Sequence, residues 1–89
     1  LNIVSDIRKR KMDIGLAIKV KRVEASLRQD ELAQRCSCSV AYISLLEHNK
    51  REVSLTMLQK ISSALDIKLS ELIQKAESYK FPTPERKKE

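Results

Sequence analysis

Between Leu1 and Phe81 the chain carries no proline and a single glycine, Gly15. Proline removes an amide donor and glycine loosens the backbone, so a long stretch almost free of both offers little to interrupt helices. The apolar spacing agrees. Leu55, Leu58, Ile61 and Leu65 recur at steps of three and four, and Ile14, Ala17 and Ile18 share one helical face. The expectation is an all-α chain.

The helix ends can be read from the polar residues between these stripes. A first helix is expected from Asp13 onward, its burial continuing with some drift through Val23 and Leu27. Leu16, Val20, Val23 and Leu27 make a second stripe on the same helix; it either meets a partner or is simply exposed, as single apolar residues commonly are. Residues 29–35 carry acids in the first turn and Arg35 near the last, which suits the helix dipole at both ends. Ser37, Cys38 and Ser39 form a turn, and Ser39 is placed to cap a helix over residues 40–48. Asn49 follows where a left-handed helix-ending residue is wanted. Ser54 would cap residues 55–65, residues 66–69 would connect, and Ser70 would cap a last helix over 71–78. Five short helices result.

A chain of 89 residues suits one domain with a modest core. It divides into a basic arm or helix extension over residues 1–12, a helical domain over 13–79, and a proline-bearing basic tail over 80–89 expected to be disordered. Residues 1–22 hold seven Lys or Arg against two Asp, and residues 80–89 hold four basic against two acidic, so the formal net charge of +6 is concentrated at the ends. Such ends suit a polyanion through counterion release, and suit an anionic membrane surface or plain solubility nearly as well. No apolar run approaches the roughly 20 residues of a membrane span, and nothing resembles a secretory signal. A soluble, cytoplasmic chain with reduced thiols is expected. Cys36, Cys38 and the single histidine, His48, leave a four-ligand zinc site short of a ligand. No glycine-rich phosphate loop occurs either, so no metal, no cofactor, no catalytic residue and no enzyme activity are expected.

Two short helices joined by a tight turn are the elements of a helix-turn-helix, whose second helix enters the major groove. The residues are more specific than that pattern. The run 27–33 (LRQDELA), the run 39–47 (SVAYISLLE), Lys50-Arg51, Ser54-Leu55, Leu58 and Ile61 to Leu65 closely resemble the phage-repressor-like, Cro/Xre-type helix-turn-helix family. Ile14-Gly15, Ile18 and Arg22 upstream and residues 69–73 (LSELI) downstream extend the likeness without a gap.

The resemblance implies a compact five-helix lambda-repressor-like DNA-binding domain and a sequence-specific transcriptional regulator, a repressor acting as a dimer on a palindromic operator. It implies that Gln29 approaches a DNA phosphate, that Arg22 and Glu47 form a structural ion pair, and that residues 40–48 are the recognition helix. Its base-facing positions would be Val40, Ala41, Ser44 and Leu45, with Ser39 at its start and Tyr42 near a phosphate or base edge. Asn49, Lys50 and Arg51 would run along the phosphate backbone. The implied partner is double-stranded DNA, and the C-terminal helix, with Leu69, Leu72, Ile73 and Ala76, is the candidate homodimer surface.

Three departures stand out. Val40, Ala41 and Leu45 replace residues that usually hydrogen-bond to bases, Glu52-Val53 stands where Asn-Pro is frequent, and Ser37 and Asn49 stand where glycine is common. The apolar reading face also leaves room for a protein partner, so a DNA-binding antitoxin or protein-interaction adaptor of a toxin–antitoxin pair is the alternative.

Overall fold

The computed structural model describes residues 12–79, and within them five helices follow one another: α1 (Ile14–Glu24), α2 (Gln29–Arg35), α3 (Val40–Glu47), α4 (Leu55–Ala64) and α5 (Leu69–Ser78). The arm expected over residues 1–12, apart from Met12, and the tail over 80–89 lie outside the described residues.

Caps start three of the helices. Asp13 Oδ1 accepts from the Leu16 N–H, Ser39 Oγ from the Tyr42 N–H, and Ser54 Oγ from the Met57 N–H, each at 3.0 Å. At α2 the Glu31 carboxylate reaches back to the Arg28 N–H at 2.8 Å.

The first four helices all end in the same way. Ser26, Ser37, Asn49 and Asp66 take φ values of 61°, 57°, 58° and 60°. In each case the left-handed residue and its successor bond back into the last turn. The Leu27 N–H meets the Arg22 carbonyl, the Cys38 N–H that of Ala33, the Lys50 N–H that of Leu45, and the Ile67 N–H that of Ser62. This is the Schellman closure, and it satisfies carbonyls that a helix end otherwise leaves open. Glycine is the usual occupant of such a position because it has no Cβ to clash. All four turns here are made without it.

Two boundaries differ from the sequence reading by more than one residue. Helix α1 stops at Glu24 and Val23 is 58% exposed, because the turn through Ser26 carries the chain away before the apolar stripe can continue. Helix α5 begins at Leu69 with Lys68 in the cap position, so Ser70 lies inside the first turn. The physical reason is burial. Leu69, Leu72, Ile73 and Ala76 face the core as one stripe, which requires helix from Leu69.

The core gathers Ala17 and Ile18 from α1, Leu32 and Ala33 from α2 with Cys36 just after it, and Ile43 and Leu46 from α3. Leu58, Ile61 and Leu65 from α4 and Leu72 and Ala76 from α5 complete it. Ile18, Leu32, Ile43, Ile61 and Leu72 are fully enclosed, and each contributes roughly 1.5–3 kcal/mol of hydrophobic stabilisation. Both cysteines are free thiols, Cys36 buried and Cys38 half-buried. Burial raises the pKa of each above the ordinary thiol range, so they behave as small apolar fillers. Helix α3 is held by α1 and α2, which cover one side of it and leave the other open. No helix among the described residues is long and apolar enough to cross a membrane.

Candidate nucleic-acid interface

The presentation of α3 starts from a buried charge. Glu47, at the C-terminal end of α3, is 5% exposed and sits beneath the helix pair. Arg22 of α1 reaches it through Nε at 2.6 Å and Nη2 at 3.1 Å, while Nη1 donates to the Leu27 carbonyl at 2.8 Å. A bidentate guanidinium–carboxylate pair fixes direction as well as distance. Gln29, the first residue of α2, adds a bond from Nε2 to Glu47 Oε1 at 3.0 Å. One carboxylate therefore ties α1, α2 and α3 together. The side chain of Gln29 is turned to this network.

The same end of α3 is locked a second time, through the turn that follows it. The Asn49 side chain accepts from the Gly15 N–H at 3.0 Å through Oδ1 and donates to Asp13 Oδ1 at 2.8 Å through Nδ2. The Asp13 N–H in turn donates to the Ala76 carbonyl at 3.1 Å, joining the start of α1 to the end of α5. Gly15 is required for the approach: a Cβ there would lie 2.5 Å from the Leu46 carbonyl oxygen and 2.6 Å from that of Glu47. Asn49 is thus an exposed residue whose amide is committed to the clamp.

With its C-terminal end held, α3 turns one side to solvent. Val40 is 46% and Leu45 37% exposed, Ala41 is exposed, and Ser44 and Tyr42 are half-buried. Ser39 is exposed and serves as the cap. Eight residues make a helix about 12 Å long, comparable with the roughly 12 Å width of the major groove. The loop after α3 returns to the same face. The Arg51 guanidinium stands 5.2 Å from the centre of the Tyr42 ring, and Lys50 beside it is exposed. His48 Nδ1 donates to the Ser44 carbonyl at 2.8 Å, closing the last turn.

The charge around this face is mixed. At the start of α2, Arg28 lies against Asp30 at 3.0 Å and within 3.8 Å of Glu31. The Arg28 hydrogen bond holds the Asp30 carboxyl below the usual range, and Asp30 raises the guanidinium in return. Arg28 thereby offsets the charge of both acids at the start of α2. Glu52 is exposed one residue beyond Arg51.

The expected site residues separate into two groups in space. Ser39, Val40, Ala41, Tyr42, Ser44, Leu45, Lys50 and Arg51 lie along the exposed side of α3 and its following loop. Gln29, Asn49, Arg22 and Glu47 form the supports beneath and behind it. Three residues whose tertiary contacts the sequence does not reveal are Asp13, Gly15 and Arg35. Each left a signal, since Asp13 precedes an apolar helix, Gly15 is an isolated glycine within one, and Arg35 is a cation near a helix end. Arg35 does not close its own helix; its Nη1 donates to the Ala64 carbonyl of α4 at 3.0 Å.

One expected surface is corrected. Leu72 and Ala76 are fully buried within the single chain, so they are not free for a second copy. Leu69 and Ile73 on the same helix remain half-buried.

Comparison with known proteins agrees with this geometry. A helix-turn-helix family model matches residues 18–72, from the middle of α1 into α5. The control protein C.MunI of a Mycoplasma species is 39% identical over 59 residues, covering 66% of this chain and 80% of that protein. The immunity repressor protein of Bacillus phage phi105 is 32% identical over 62 residues; the match covers 70% of this chain but only 43% of that repressor's length. Among solved structures, the master regulator for biofilm formation SinR in complex with DNA superposes with a TM-score of 0.62 at 33% identity, over 66% of this chain and 95% of SinR. The chain belongs to the Cro/Xre-type helix-turn-helix family of DNA-binding transcriptional regulators.

Proposed function

We propose that the protein binds a palindromic operator as a homodimer and represses transcription there, with α3 in the major groove and the loop after it on the phosphate backbone. The observation that carries this is the convergence of the exposed side of α3 with Lys50 and Arg51, on a helix immobilised at its C-terminal end. Lys50 and Arg51 neutralise phosphates, Tyr42 sits between loop and helix, and Ser44 offers the face its most central hydrogen-bonding side chain. The immunity repressor and the DNA-bound regulator among the relatives support the same reading. A domain this small makes few base contacts alone, so two half-sites about one helical turn apart supply the missing discrimination. Leu69 and Ile73 of α5 are the residues through which the copies would meet.

Selection from random duplex DNA tests the reading. A symmetric consensus is expected, bound with two chains per duplex by sedimentation. Ser44→Ala should relax preference at one base step in each half-site. Lys50→Ala should weaken all duplexes about equally and reduce the log–log salt slope by about one per chain. No enriched sequence, or a monomer on the duplex, would contradict the proposal.

A second reading has one observation in its favour. Leu16 is 36% exposed and Val23 58% exposed on α1. A protein partner seated there, a toxin for an antitoxin, would copurify from the native source; the operator reading needs no such partner.

A further inference from the structure

From the composition of the exposed face of α3 we infer that this protein reads methyl groups: the pyrimidine C5-methyl that thymine presents in the major groove is the principal feature by which it recognises its site. The inference rests on the DNA-reading role proposed above and names what that surface reads. Three of the four outward positions at the centre of the face, Val40, Ala41 and Leu45, carry no hydrogen-bonding group in their side chains, and Val40 and Leu45 are the two large apolar residues α3 leaves open.

The neighbouring side-chain amides are already engaged, and the nearby hydroxyls partly so. The Gln29 amide is bonded to Glu47, both ends of the Asn49 amide are bonded to Gly15 and Asp13, and Ser39 Oγ accepts the Tyr42 N–H. The Tyr42 ring lies against Arg51. Of the four central positions Ser44 alone carries a donor or acceptor, with the Ser39 and Tyr42 hydroxyls flanking them. Apart from Ser44, the centre of this face cannot score the donor and acceptor pattern of a base pair, yet it can exclude water from a methyl group. Lys50 and Arg51 beside it favour an anionic polymer over an apolar peptide as the occupant.

The same chemistry extends to 5-methylcytosine, which places its methyl at the equivalent position in the groove. Discrimination by apolar contact should therefore treat a methylated cytosine as a partial substitute for thymine. A face built on bidentate hydrogen bonds would not.

The test uses the full chain and the duplex recovered by selection, titrated by fluorescence anisotropy. Replacing dT by dU one position at a time should weaken binding about fourfold at each methyl that α3 covers, the factor equivalent to burying one such group. A dT to dC exchange at the same positions, with the complementary base changed, should also weaken binding, and methylating that cytosine at C5 should restore most of the loss. Val40→Ala and Leu45→Ala, both at exposed positions, should each bring the dT-to-dU ratio toward one at a single step while circular dichroism shows an unchanged fold. Selective binding whose affinity stays within twofold under every dU exchange would overturn methyl reading and leave the operator proposal standing. Failure to select any sequence would overturn both.

Discussion

Ser37 and Asn49 share one backbone geometry, with φ of 57° and 58°, yet their substitutions should move stability in opposite directions. A left-handed L-residue costs roughly 1–2 kcal/mol, whereas glycine adopts the conformation freely at a chain-entropy cost of roughly 0.5–1 kcal/mol. Ser37 makes no clamp, so Ser37→Gly should stabilise the domain by about 0.5–1 kcal/mol, several degrees in Tm. Asn49→Gly removes bonds to both Gly15 and Asp13 and leaves their polar atoms short of a partner, so it should cost about 1–2 kcal/mol despite the relaxed backbone. Thermal denaturation of the two variants checks the pair; equal shifts would show that the clamp contributes nothing. The left-handed turn at Asn49 was legible from the sequence because end-capping is local chemistry. Its partners were not. They lie 34 and 36 residues away and meet it only when α1 packs on the end of α3. Gln29 illustrates the same limit, its amide turning to a carboxylate 18 residues distant.

Among the elements, α1 positions α3, and the contact between them depends on one missing side chain. Alanine normally improves a helix over glycine by roughly 0.5–1 kcal/mol. At Gly15 the sign should reverse, because the added Cβ would press on the carbonyls of Leu46 and Glu47 at 2.5 and 2.6 Å. Gly15→Ala should cost about 1–3 kcal/mol, the usual penalty of overpacking. It should also weaken DNA binding beyond the loss of folded protein, since the end of α3 and the Asn49 turn must shift together. Calorimetry beside a binding titration separates the two effects, and a stabilised Gly15→Ala variant would refute the close approach. At this scale the caps of α3 and α4 were evident in Ser39 and Ser54, whose hydroxyls act within one turn. Ser70 offered the same local signal and was overridden by the burial of the stripe that starts at Leu69. The C-terminal stripe showed that α5 has an apolar face, but periodicity alone does not say whether a face meets its own core or a second copy. Leu72 and Ala76 meet the core.

Over the whole molecule, rigidity and recognition are divided between two sides of α3. The buried Arg22–Glu47 pair, the Gln29 bond and the Asn49 clamp fix the helix from behind, which removes ordering costs when a groove is engaged. The face turned outward is apolar at its centre with Lys50 and Arg51 at its edge, so under the proposed operator binding, attraction to phosphate and discrimination between bases would fall to different residues. The family was readable from residues 27–73 because the supporting positions are those of the helix-turn-helix scaffold, whereas the way a site is chosen depends on side chains that vary on that scaffold. The most direct test is a two-dimensional amide NMR titration of the labelled protein with its selected duplex. The account predicts that the largest shifts fall on residues 39–45 and on Lys50 and Arg51, with the outer face of α1 and the α4–α5 junction little changed. Perturbations centred on α1 or α5, with the first half of α3 unmoved, would contradict it.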